Sequence, residues 1–204
     1  MTISIAIIII TCLVSFTSFN RGDRIDELSM WPYMVKEKKQ YYRFITSGLV
    51  HADFMHLGFN MLTLYFFGRF IEMVFLQIFQ SKIYYLLFYL LALVVSDLPT
   101  FIKHRNNYSY RSIGASGAVS AVVFAAILFN PWAQIYVFFI KLPAILYGVL
   151  FLGYSIYASR RGDSSGINHD AHLWGAVFGI VFPLLFRPEL APYFLQQITS
   201  GLGR

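Results

Sequence analysis

Apolar residues in this chain come in blocks about as long as a helix needs to cross a bilayer, separated by short charged connections, and no other feature constrains the fold as strongly. Hydrophobic residues make up 57% of the sequence and charged residues only 13%, too little polar surface for a soluble domain. In hydrocarbon a helix satisfies its own backbone polar groups, and a run of ~20 apolar residues spans the ~30 Å core. The alternation of a transmembrane barrel is absent. The sequence therefore predicts an all-α membrane protein, a six-transmembrane-helix bundle in a single domain over 1–204, with spans near 3–20, 54–79, 83–101, 113–129, 132–157 and 171–186.

The first block, uncharged through Asn20 and lacking a basic start or a small-residue cleavage site, reads as an uncleaved span. The segment 21–50 mixes Arg21, Arg24, Lys36, Lys38, Lys39 and Arg43 with Asp23, Asp26, Glu27 and Glu37, and carries Trp31, Tyr33, Tyr41 and Tyr42. It reads as a long loop lying in the bilayer interface. Arg69 and Glu72, neighbours on one helical face, are expected to pair at the opposite interface. Pro99 marks the end of span three. Lys141 and Pro143 predict a snorkelling charge or a kink in span five. The net charge of +6 is spread over loops, which fits anionic lipid headgroups and not nucleic acid. Cys12, alone, cannot form an internal disulfide.

Each span reverses the side of the chain, so the even-numbered spans begin on one face. His56 and Asn60 fall in the first turns of span two, Ser116 at the start of span four and His172 at the start of span six. At 1.5 Å per residue all lie within roughly 10 Å of one interface. In helical phase, His56 and Asn60 share an arc, as do Ser116 and Ser120, and as do His172, Gly175 and Gly179. Gly175-x-x-x-Gly179 allows backbone-to-backbone approach to a neighbour, and Gly114 and Gly117 offer the same for span four. That approach is what a hydrogen bond between Ser116 and His172 requires. Taken alone, Gly-Ala-Ser-Gly is a common small-residue helix contact; the joint pattern of three motifs at one depth is not explained by packing.

Three elements carry a resemblance: Gly-x-Ser-Gly at 114–117, His-x-x-x-x-His-x-x-x-Asn at 51–60 and Ala-His-x-x-Gly-x-x-x-Gly at 171–179. Together they resemble the intramembrane serine proteases of the rhomboid family, in their prokaryotic six-span form, across a core from about Arg43 to Gly179. The resemblance implies Ser116 as nucleophile and His172 as general base, with His56, Asn60 and the Ser116 backbone amide binding the oxyanion. It also implies supporting places for His51, for Arg43 of an aromatic-arginine pair, and for Glu72 of a Gly-x-x-x-Glu element beginning at Gly68. Two positions depart from the family pattern. Tyr42 stands where tryptophan is common, and Ser120 stands where a tyrosine often stacks on the histidine. Either another aromatic supports His172 or Ser120 hydrogen-bonds to it.

A hydroxyl becomes an effective nucleophile when an imidazole removes its proton during attack and returns it to the leaving amine. Asp170, two residues before His172, projects from nearly the opposite side of the helix, so a Ser-His dyad without an orienting carboxylate is expected, with no metal and no cofactor. His104 and His169 read as loop residues, and Asp53 as a helix-start residue. The substrates implied are single-span membrane proteins whose segment unwinds readily near the interface. The rivals are a zinc site on His51, His56, His169 and His172, which lacks a His-Glu-x-x-His pattern, a transporter, and a non-proteolytic rhomboid-like protein that binds membrane helices for quality control. Sidedness is contested within the sequence. Arg21, Arg24, Lys36, Lys38, Lys39, Arg43, Lys103, Arg105, Arg111, Arg160 and Arg161 fall on the face of Ser116, against Arg69, Lys82, Arg187 and Arg204 opposite, which would put that face in the cytoplasm. The resemblance implies a bacterial inner (cell) membrane with the active site on the extracytoplasmic side and both termini inside, and the expectation follows the resemblance.

Overall fold

A computed structural model describes residues 2–137, 139–161 and 166–202. The loop expected over 159–168 therefore lies partly outside the described residues. In chain order the elements are α1 (Ile3–Ser18), α2 (Gly22–Leu28), α3 (Pro32–Lys38), α4 (Arg43–Thr46), α5 (Phe54–Thr63), α6 (Arg69–Phe79), α7 (Ile83–His104), α8 (Ser116–Phe129), β1 (Gln134–Val137), β2 (Ile140–Pro143), α9 (Ala144–Arg161), α10 (His169–Phe186) and α11 (Leu190–Leu202). A π-helical stretch, Leu64–Gly68, joins α5 to α6 in one continuous rod. Among the described residues, three helices are long and apolar enough to cross a membrane: Phe54–Phe79, Ile83–His104 and His169–Phe186; α1 and α8 are apolar but shorter.

The bundle is built around α8. Every residue from Gly117 to Leu128 is buried, and the main core packs α8 against α5, α6, α7 and α10 through side chains such as Leu57, Phe75, Phe88, Val122 and Phe182. At 1.5 Å per residue its 14 residues give a length of about 21 Å, short of a ~30 Å hydrocarbon layer. Its first residue, Ser116, is half-buried. The glycines of α10 allow α8 to come this close. A methyl group on Gly175 would overlap the carbonyl of Gly117, and one on Gly179 the carbonyl of Ala121. Gly114 plays a different part from the one its spacing predicts. It precedes the helix with φ +112°, and a side chain there would strike the His56 ring.

Several boundaries differ from the hydropathy reading. Span four starts as a helix at Ser116 and not at 113, because Gly114 takes a positive φ. Span three runs through Pro99 to His104, held by Phe101 against Phe44 and by Thr100 hydrogen-bonded to Asn168. Span six begins at His169, where Asn168 caps it by accepting the Ala171 amide at 3.1 Å. The expected fifth span, 132–157, is divided into the antiparallel hairpin β1–β2, with Tyr136 opposite Lys141, and the helix α9. Hydropathy cannot separate a short apolar strand from a helix, and Pro143, without an N–H, sits where strand gives way to helix. The loop 21–50 holds three short α-helices, α2 to α4, and a 3-10 helix, Ser47–Leu49.

Arg69 and Glu72 do not pair. Glu72 is buried and caps α1, accepting the amides of Ile3 at 2.8 Å and Ser4 at 2.9 Å together with the Ser4 hydroxyl. These are orphan donors at the positive end of a helix dipole, a stronger partner for a buried carboxylate than an exposed guanidinium. Arg69 instead donates to the Tyr65 hydroxyl at 2.9 Å.

Gly175→Ala forces a methyl into backbone and is expected to cost about 1–3 kcal/mol, read as a lowered thermal unfolding midpoint in detergent. Gly58→Ala, with open space around it, is expected to be neutral or to stabilise by up to ~1 kcal/mol. Equal midpoints for the two variants would contradict the backbone contact.

Candidate active site

The loop region seats the amino terminus of α8. Met30 and Ser112 exchange backbone hydrogen bonds at 2.9 and 3.0 Å, and the Gly114 amide donates to the Ser47 carbonyl at 2.9 Å. Arg43 holds the loop itself, donating to the carbonyls of Asp26 and Ser29 and to Gln40, with its guanidinium over the rings of Trp31 and Tyr42. It is 3% exposed, buried inside the loop region.

Ser116 Oγ and His172 Nε2 stand 2.8 Å apart. The contact joins the first turn of α8 to the first turn of α10, the two helices that the glycines bring together. Both residues line a cleft of about 560 Å³ together with His56, Phe59, Asn60, Tyr147 and Phe151, so α5, α8, α9 and α10 all contribute to its wall. Asp53 caps α5 by accepting the His56 amide at 2.7 Å. Asn60, buried, donates one amide hydrogen to the His56 carbonyl at 2.9 Å, leaving its second N–H unassigned to that bond. Asp170 turns away from His172 and accepts hydrogen bonds from Ser159 and from Lys103, the latter at 2.9 Å.

The question left open at Ser120 is answered by packing. Its hydroxyl donates to the Ser116 carbonyl at 2.8 Å, one turn back. The ring against His172 belongs to Phe151 of α9, which nothing in the spacing of the sequence connects with the histidine. The other loop-histidine readings also change. His169 is buried as the first residue of α10, and His104 ends α7 stacked on Tyr110 at 3.7 Å.

His51 is fully buried and ties three elements together. Ser15 Oγ donates to the Leu49 carbonyl at 2.8 Å, so His51 Nδ1–H donates to Ser15 Oγ at 3.0 Å. Bare Nε2 then accepts the Ala115 amide at 3.4 Å, which defines one neutral tautomer. Burial, reinforced by the neighbouring His56, pushes its pKa down from 6.5 to about 3. A depressed histidine pKa means that the unfolded chain takes up the proton first, so this stability is complete above about 6.5 and drains away as pH falls toward 3. The unfolding midpoint of the wild-type chain is expected to drop through that window more steeply than that of His51→Leu. Parallel pH curves would refute the assignment of a buried neutral imidazole.

Comparison with known proteins agrees with this architecture. A model of the rhomboid domain matches residues 38–189. The chain is 35% identical over 150 residues to "RHOMBOID-like protein 12, mitochondrial" of Arabidopsis thaliana, covering 67% of this chain and 44% of that protein. It is 28% identical over 165 residues to "Rhomboid-like protein 11, chloroplastic" of the same plant, covering 73% and 54%. To "Putative rhomboid protease YdcA" of Bacillus subtilis (strain 168) it is 27% identical over 153 residues, covering 72% and 67%. The chain thus spans about half the length of the two plant relatives. With a mostly helical membrane bundle and a family match across three quarters of its length, this chain belongs to the rhomboid family.

Proposed function

We propose that the chain is a serine-type endopeptidase that hydrolyses peptide bonds in or near the transmembrane segments of single-span membrane proteins. The observation that carries the reading is the 2.8 Å contact between Ser116 Oγ and His172 Nε2 at the wall of an open cleft. His172 removes the hydroxyl proton as Ser116 attacks the carbonyl carbon, then delivers it to the departing amine; water repeats the cycle on the acyl-enzyme. Ser116 is the first residue of α8, so its amide is among those a helix leaves without an internal acceptor, at the positive end of the dipole. That amide, the free N–H of Asn60 and the His56 ring are the donors assigned to the oxyanion. A non-proteolytic helix-binding relative has no use for a hydroxyl and an imidazole held at this distance.

The cleft offers apolar walls at Met55, Phe59, Tyr147 and Phe151, suited to a membrane segment that has lost its helix near the interface. The reading extends to a bacterial inner (cell) membrane with the cleft on the extracytoplasmic side, among lipids and membrane-protein substrates. Several basic residues of that face are already engaged. Arg43 is buried, Arg111 pairs with Asp26, Lys103 with Asp170 and Arg21 with Asp23. Pairing with acids does not remove a residue from the Lys and Arg count, which favours the opposite orientation; the proposed orientation follows the family. An active alkaline-phosphatase fusion at the carboxyl terminus would reverse the assignment.

Purified protein incubated with a panel of single-span substrates is expected to cleave, and Ser116→Ala and His172→Ala to abolish cleavage. Persistence in Ser116→Ala would sink the nucleophile. His56→Ala and Asn60→Ala are each expected to lower the rate about 10²–10³-fold. Asp170→Asn is expected to retain activity within a few-fold, whereas a triad would lose about 10⁴.

A further inference from the structure

The Phe151 ring lies 5.7 Å from the His172 ring, centroid to centroid, with their planes 32° apart. Nearly one turn along α9, the Tyr154 ring meets His169 edge-on at 5.4 Å, and His169 meets His172 at 5.9 Å. Two aromatics three residues apart on one helix therefore face two histidines three residues apart on the next, in helical register. Phe151 is itself braced by Phe124 at 5.8 Å and by Tyr147 at 5.6 Å. Ser120 brings no ring, and its hydroxyl is engaged by the Ser116 carbonyl.

We infer that Phe151 is a positioning residue for His172. Its ring fixes the plane of the imidazole so that Nε2 stays on Ser116 Oγ, and the Tyr154–His169 contact holds the neighbouring turn in place. This rests on the reading of His172 as the general base. Because Phe151 and His172 both line the cleft, one helix, α9, serves as a wall of the substrate path and as the support of the base.

The test is the rate at which a small fluorophosphonate reacts with Ser116 in the purified full chain, the serine oxygen displacing fluoride from phosphorus as His172 takes the proton. Phe151→Ala, Phe151→Leu and Phe151→Tyr are compared with wild type, and Val149→Ala, at a position 62% exposed on the same helix, is the control. Misplacing a reacting group by about 1 Å costs up to 10²-fold, so Phe151→Ala and Phe151→Leu are expected to react roughly tenfold more slowly. Phe151→Leu keeps apolar volume, which separates loss of the ring from loss of packing. Phe151→Tyr is expected near the wild-type rate and Val149→Ala at it. In substrate cleavage kcat is expected to fall by the same factor as probe reactivity, while loss of a cleft wall registers separately in KM. Wild-type reactivity in Phe151→Ala and Phe151→Leu, or a Phe151→Tyr as slow as Phe151→Ala, overturns the inference. A wild-type chain that neither reacts with the probe nor cleaves overturns instead the reading of Ser116 and His172.

Discussion

The contact between the backbones of α8 and α10 is the constraint from which the rest of the architecture follows. Helices in lipid gain nothing from hiding apolar side chains from water, so close approach depends on small residues that bring backbones into van der Waals range. Gly175 and Gly179 lie on the carbonyls of Gly117 and Ala121. At that separation a serine in the first turn of one helix and a histidine in the first turn of the other are forced to within hydrogen-bond distance. With larger residues at the two glycines the helices stand apart and the polar pair becomes two isolated groups in an apolar bundle, each costly to keep.

Close packing sets the distance between the helices, and hydrogen bonds set the height of α8. Its amino terminus is fixed by main-chain bonds from Ser112 and Gly114 to the loop region and by the Ala115 amide on His51. The segment before α5 is thus a frame for the helix that carries Ser116, with Arg43 as its internal fastener. At the far face, the amino terminus of α1 is held by Glu72. Buried polar groups outside the cleft are used mainly to close helix ends and loops, where donors and acceptors lack internal partners.

Much of this was legible in the chain. Ser116, His172, His56 and Asn60 could be brought to one depth by counting spans, because a helix of fixed rise crossing a layer of fixed thickness turns sequence position into height. The small-residue spacing of α10 pointed to a tight neighbour. The pairing of Arg69 with Glu72 failed because the rule of neighbours on one face ignores what lies across the bundle, and the end of α1 competes better for the carboxylate. The fifth span failed because a hydropathy window sums residues without regard to hydrogen-bonding pattern, so the hairpin Gln134–Pro143 and the helix that follows it read as one apolar run.

What the sequence determined alone is therefore local or additive: which segments are apolar, where helices can begin, and which polar residues share a face and a depth. What the tertiary structure decided is which groups touch across elements. Phe151 against His172, Ser15 and Ala115 around His51, Gly114 beneath the His56 ring and Glu72 on α1 all join residues far apart in the chain. Their spacing in sequence carries no signal, because such contacts depend on the rotation and separation of whole helices, and those are set by the packing of the entire bundle at once.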